Sequence, residues 1–389
     1  MFNQRYLYRV LAPSLVLGLS AIFIAPAEAN QVSATIAVGN NPNGVAANPL
    51  TNRIYVANAG DNNVSVIDGN ANAVIATVPV GIQPLGVGVN PSTNRVYVAD
   101  GGDGIGPSFV SVIDATTNSV IATIPVDNNP FAVAVNPLTN RIYVTNNFGA
   151  IGNVGDGIVS VIDGATNVVV DRVHVGTNPS GVAVNPSTNR VYVTLYGFAG
   201  GNAVQVIDGA TDAIVDNIFV GAPPWLVAVN PATNRAYVSQ CGPFCDANGV
   251  DVADTTTDTV IATVPVQSHP YGVAVNAITD LVFAANNGSD TVSIIDGEAN
   301  DVLQTLQVGS GPQGVGFNPA TLTAYVANGG SNSVSVITTF VGTPGEANCH
   351  GNSVSALARQ FRGLDAAAAA LGFSSVQDLQ ATITAHCGR

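Results

Sequence analysis

The chain has 389 residues, 47% of them hydrophobic and only 9% charged, with a formal net charge of −14 and arginine as its only strong base. That balance excludes a lysine-rich footprint for nucleic-acid phosphates or anionic lipid, and it is compatible with the solubility of an exported protein. Abundant Val, Ile and Thr, together with 41 Gly, 22 Pro and many Asn, favour strands joined by tight turns, an all-β composition.

Residues 1–29 read as a signal peptide. Arg5 and Arg9 precede an apolar run from Val10 to Ile24, and Ala27-Glu28-Ala29 supplies the small residues of a cleavage site. Cleavage after Ala29 predicts a secreted, periplasmic or cell-surface protein with a net charge of about −15 and no transmembrane span after processing. An uncleaved anchor is the alternative, although the run is short for a bilayer.

From residue 31 to about 340 one pattern returns. Its clearest copy is Asn136-Pro-Leu-Thr-Asn-Arg-Ile-Tyr-Val144, and its aromatic position recurs at Tyr55, Tyr97, Tyr143, Tyr192, Tyr237, Phe283 and Tyr325. A period of 42 to 49 residues means a repeat architecture. Each unit contains four short alternating strands, in the third copy Pro130–Asn136, Arg141–Thr145, Ile158–Asp163 and Val168–Val175. One four-stranded meander cannot bury both faces, so the units must stack around an axis as a β-propeller.

First strands begin at Pro42, Pro84, Pro130, Pro179, Pro224, Pro270 and Pro312. Gln31–Gly39 is an unpartnered fourth-type strand, and the last repeat stops after a third-type strand, Ser333–Thr339. The two fragments complete one blade, which predicts seven blades closed by the N-terminal strand.

The residues Arg141-Ile-Tyr-Val-Thr-Asn146, their variants Arg53-Ile-Tyr-Val-Ala-Asn58 and Arg190-Val-Tyr-Val-Thr194, and the recurring Val-Ile-Asp-Gly at 66–69, 161–164 and 206–209 carry a resemblance. Over residues 31–340 the chain resembles the YVTN family of β-propeller repeat proteins, found among exported and surface-layer proteins. The resemblance implies binding or scaffold roles more often than one chemistry, because a propeller hosts unrelated functions.

Residues repeated from blade to blade are read as architecture. Arg53, Arg95, Arg141, Arg190 and Arg235 share one position, and Asp68, Asp114, Asp163, Asp208 and Asp296 another; these are expected to serve turns and ion pairs rather than an anion-binding ring. The repeated tyrosines are expected between blades. Function is therefore sought where the repeats differ.

Fourth-to-first and second-to-third loops open on the same end. There the residues after the repeat prolines are Asn43, Leu85, Phe131, Ser180, Trp225, Tyr271 and Gln313, and those before them include Pro223 and His269. Long loops add Phe148, Tyr196, Phe198 and Phe244. The expectation is an aromatic cup of Phe131, Phe148, Tyr196, Trp225, His269 and Tyr271 suited to a sugar, a peptide or a flat ring, hence a protein, peptide or glycan partner. Base stacking on the same rings would need a positive groove for phosphates, and none accompanies them, so nucleic acid is disfavoured.

No nucleophile-elbow or zinc-helix motif is present. The alternative to a non-catalytic binding scaffold is a lactonase-like hydrolase or lyase using His269 with Asp100, Asp103, Asp156 or Asp290. No cofactor is expected, and the loop Asp100-Gly-Gly-Asp-Gly104 is weighed as a calcium turn but lacks the spacing and closing Glu of an EF-hand.

Four cysteines in an exported chain predict two disulfides, most economically Cys241 with Cys245 and Cys349 with Cys387. After a linker at 341–348, residues 349–389 read as a stapled helical tail. Three short helices are expected, at 353–361, at 365–371 and after Ser375, whose Ser-Val-Gln-Asp378 is a capping box. The tail is expected either to cap the propeller or to present a face to a partner.

Overall fold

A computed structural model describes residues 30–103, 108–147, 157–196, 202–240, 247–339, 364, 365, 368, 373 and 375–387. The signal-peptide reading, Phe148, Asp156, Phe198, Phe244, Cys241, Cys245 and Cys349 lie outside the described residues, as does the side chain of Cys387.

Seven four-stranded antiparallel sheets are present. In the third, Pro130–Asn136, Arg141–Asn146, Ile158–Asp163 and Val168–His174 follow one another from the axis outward. The last sheet takes Pro312–Asn318, Thr323–Asn328 and Ser333–Thr338 from the C-terminal end of the repeat and Gln31–Ala37 from its beginning. Every fourth strand bulges against its third, and the closing strand bulges at the equivalent place, between Val32 and Ala34. The N-terminal segment thus has the register of a true fourth strand, and the seven-bladed, strand-closed propeller expected from the repeats is the fold.

Cores lie between blades. All six repeat tyrosines and Phe283 are fully buried, each facing the neighbouring blade's valines and isoleucines. At the lower end, where first strands turn into second strands, the repeated polar residues join blade to blade. Arg53 Nη1 donates to the Ala115 carbonyl at 2.9 Å, Arg190 Nη1 reaches Asp258 Oδ2 at 2.8 Å, and Arg235 donates to the Gly297 carbonyl. Asp68, Asp114 and Asp163 accept backbone N–H groups of their own turns, which holds their carboxyls below the usual carboxylate range. Repetition therefore does mark architecture.

A second ladder runs beneath it. Asn48 Nδ2 donates to Asn94 Oδ1 at 2.9 Å, Asn90 to Asn140 and Asn136 to Asn189 at 2.7 Å, and Asn318 to Asn52 at 2.7 Å. It is open at Asn185 and at Asn276, whose buried Nδ2 atoms have no partner; at Asn276 the cause is plain, since Leu322 stands where the acceptor Asn belongs. Leu322 is buried in the left-handed region at φ 53, a conformation that suits Asn better. It packs with Ile278 against Ala368 and Leu379 of the tail, with Leu364, Phe373 and Val376 around them.

The tail helix Val376–Cys387 begins at the expected cap: Asp378 N–H donates to Ser375 Oγ at 3.1 Å. The described part of the tail is thus a cap on the lower end of the sixth and seventh blades. No described helix is long and apolar enough to cross a membrane.

Candidate functional site: the upper mouth of the channel

Each first strand enters the ring through a bulge between its proline and a valine three residues on, for example Pro224 and Val227. The extra residue re-aims the side chain that follows the proline. Those side chains are the ones in which the blades differ, and in the third, fifth and sixth blades they are Phe131, Trp225 and Tyr271.

Three rings close on Trp225. Phe131 meets it edge-on with centroids 5.4 Å apart and Tyr196 edge-on at 5.3 Å, while Tyr271 lies tilted at 5.7 Å. Such separations are direct contact. The structure therefore joins four of the six expected residues into one half-exposed patch, a platform of touching rings rather than an open cup.

Two local features let Trp225 reach across. In six blades the residue before the proline has a positive φ, at Asn41, Gln83, Asn129, Asn178, His269 and Gly311, but in the fifth it is Pro223, whose ring forbids that conformation. The intervening fourth blade carries the small, buried Ser180 instead of a large side chain.

The backbone beneath the rings is tethered by hydroxyls. Thr194 Oγ1 accepts the Gly181 N–H at 2.6 Å and donates to the Trp225 carbonyl at 2.7 Å. Ser239 Oγ accepts the Leu226 N–H at 3.0 Å and donates to the Tyr271 carbonyl at 2.7 Å, and Thr145 links Ala132 to Ser180 in the same way. All three hydroxyl residues are fully buried. The corresponding residues of the other blades are Ala57, Ala99, Ala285 and Ala327. Sequence reasoning missed these tethers, although the Thr/Ser-versus-Ala split at one repeat position is visible once the blades are aligned.

Tyr196 is held at the mouth by its N–H, which donates to the Asn178 carbonyl at 3.0 Å. His269 uses its carbonyl in the equivalent way, accepting the Asn287 N–H at 2.9 Å; its ring Nδ1 lies 3.1 Å from Ser268 Oγ. His269 thus fills a turn position taken in three other blades by Asn, and no described hydrogen bond joins its ring to a carboxylate.

Below the platform the channel narrows to a cavity of about 160 Å³ lined by Asn43, Phe131, Leu226 and the repeated first-strand valines. That space suits a few waters, whereas ligand cavities run to about 300–1,000 Å³. A ligand larger than that would sit on the mouth above this cavity rather than in it.

No family model matches the sequence, and no curated protein does. Among solved structures the chain is similar to one from the hydrazine synthase of Kuenenia stuttgartiensis, with a TM-score of 0.66 and 22% identity over 77% of this chain and 96% of that one. This is likeness of fold. With 1468 solved chains matching, the propeller by itself selects no activity.

Asp100, the first residue of the weighed calcium turn, is buried and accepts the Ser111 hydroxyl at 2.7 Å. No group of three or more His, Cys, Asp or Glu able to hold a metal occurs among the described residues. Burial pushes the Asp100 carboxyl up to about 6, against the donated hydrogen bonds of Ser111 and Gly81. The folded value lies above the ordinary one, so the native state binds this proton more tightly and stability falls as pH rises from about 4 through 6. Asn58, Asn146, Asn286 and Asn328 occupy the equivalent place, and all four donate to the matching serine. Asp100→Asn is expected to stabilise the protein at pH 7.5 by up to about 3 kcal/mol, with little gain at pH 4. Urea midpoints at both pH values check this; equal midpoints at pH 7.5 would contradict it.

Proposed function

We propose that the protein is an exported, non-catalytic propeller that captures a ligand or partner on the aromatic mouth. One observation carries this: side chains from four successive blades meet around Trp225, at the positions in which the repeats differ. Buried tethers under the platform support the reading, since a rigid, pre-positioned ring loses little freedom on binding. The export step rests on residues 1–29, and the finer affiliation with YVTN-type repeats rests on the Arg-Ile-Tyr-Val-Thr-Asn and Val-Ile-Asp-Gly copies.

Trp225 is the chain's one tryptophan, so its emission reports directly on the mouth. Glycan, peptide and nucleotide panels are expected to contain a compound that shifts this emission saturably. Tyr271→Ala should weaken that compound about 30-fold, a central-anchor loss of about 2 kcal/mol. A bound compound whose affinity, followed calorimetrically, ignores both Trp225→Ala and Tyr271→Ala would refute the site. Mass analysis of the exported protein should find Asn30 at its start.

A further inference from the structure

The opposite half of the mouth narrows the ligand class. From the seventh blade through the second, the side chains equivalent to Trp225 are Gln313, Asn43 and Leu85. Asn43 lines the same cavity as Phe131, and Gln313 lies with Asn41 over Gly329. Both Gln313 and Asn43 are half-exposed, and among the described residues their amides have no hydrogen-bond partner. An uncharged amide arc thus faces the aromatic arc across the channel.

Among the described residues, charge at this end is otherwise engaged. Asp61 accepts the backbone and side-chain N–H groups of Asn40 at 2.8 and 2.7 Å, Asp127 pairs with Arg172 at 2.9 Å, and Asp290 accepts the Gly311 N–H at 2.8 Å. An anionic ligand would find no free described cation. A quaternary ammonium would need rings facing a common void, but these rings touch one another.

We propose that the mouth binds a neutral saccharide, with a pyranose ring lying on the Trp225 platform and its hydroxyls hydrogen-bonded to Gln313 and Asn43. A pyranose presents a face of C–H bonds, whose positive edges suit the negative face of an aromatic ring. Each of its hydroxyls both donates and accepts, matching the carbonyl and NH₂ of an amide. The inference rests on the mouth being a binding site at all.

The full exported chain is titrated with cellohexaose, chitohexaose and maltohexaose, and with oligogalacturonate, tetramethylammonium and an alanine–proline hexapeptide as anionic, cationic and peptide probes. Trp225 emission and calorimetry are followed together. At least one neutral hexasaccharide should bind saturably, Gln313→Ala and Asn43→Ala should each raise its Kd about 10-fold without changing the emission of the free protein, and Trp225→Ala should abolish the heat. Trp225→Phe, which keeps a ring and the packing, should retain part of it. Tighter binding of the anionic, cationic or peptide probe at Trp225 would keep the mouth as a binding site and overturn the saccharide. No saturable neutral saccharide at millimolar concentration, or binding indifferent to Trp225, Gln313 and Asn43, would overturn it as well.

Discussion

A chain lacking residues 30–39 is expected to denature at least about 10 °C below the intact protein, or to aggregate outright. The closing strand pairs with Ser333–Thr338 over six residue positions and buries Ile36 beside Val334, Val336 and Tyr325. That cluster also contains Val45, Ile54, Val56 and Ile67, so it joins the last blade to the first. Asn332 adds a polar clasp: its Oδ1 accepts the Asn41 N–H at 2.9 Å, and its Nδ2 donates to Asn40 Oδ1 at 3.0 Å. A buried Ile contributes roughly 1.5–3 kcal/mol and each ladder hydrogen bond about 1 kcal/mol, so their combined loss is large against ordinary domain stability. Thermal scans check the midpoint, and a synthetic peptide of residues 30–39 should restore part of it in trans. An unchanged midpoint would mean that the ring does not depend on its seal.

Leu379→Asp is expected to release the tail helix while leaving the propeller folded. Leu379 is fully buried among Ile278, Leu322 and Ala368, and placing a carboxylate there costs several kcal/mol unless the contact opens. A 12-residue helix is marginal by itself, so undocking should melt it. Amide exchange in residues 376–387 should accelerate by about a hundredfold or more, as a loss of about 3 kcal/mol of protection implies. Leu322→Asn separates the two roles of that position. It removes the tail's apolar contact, restores the residue type that suits a positive φ, and supplies Asn276 with its missing acceptor. The tail should again be released, but the propeller should hold or gain stability. Retained protection of the helix in both variants would show that it docks by other contacts.

In the mouth, the sequence carried the identities and the structure supplied the arrangement. Phe131, Trp225 and Tyr271 stand out at variable positions, because the repeat itself tells which positions are shared. That the rings touch is different. It depends on the bulge beside each proline, on Ser180 leaving room between Phe131 and Trp225, and on Tyr196 being hydrogen-bonded to the turn at Asn178. His269 reads from sequence as chemistry, because histidine is rare here. Its positive φ and its carbonyl bond to Asn287 show it serving the turn as an Asn would.

The sequence alone determined the number of blades, the four strands within each and the strand that closes the ring. All follow from local periodicity, turn residues and a count of ends, and these need no knowledge of distant contacts. Only the tertiary structure decided which side chains meet: the Trp225 platform, the hydroxyl tethers from Thr145, Thr194 and Ser239, and the docking of Leu379 on Leu322. Those contacts join residues tens of positions apart, and blade twist, bulge geometry and side-chain volume set them together.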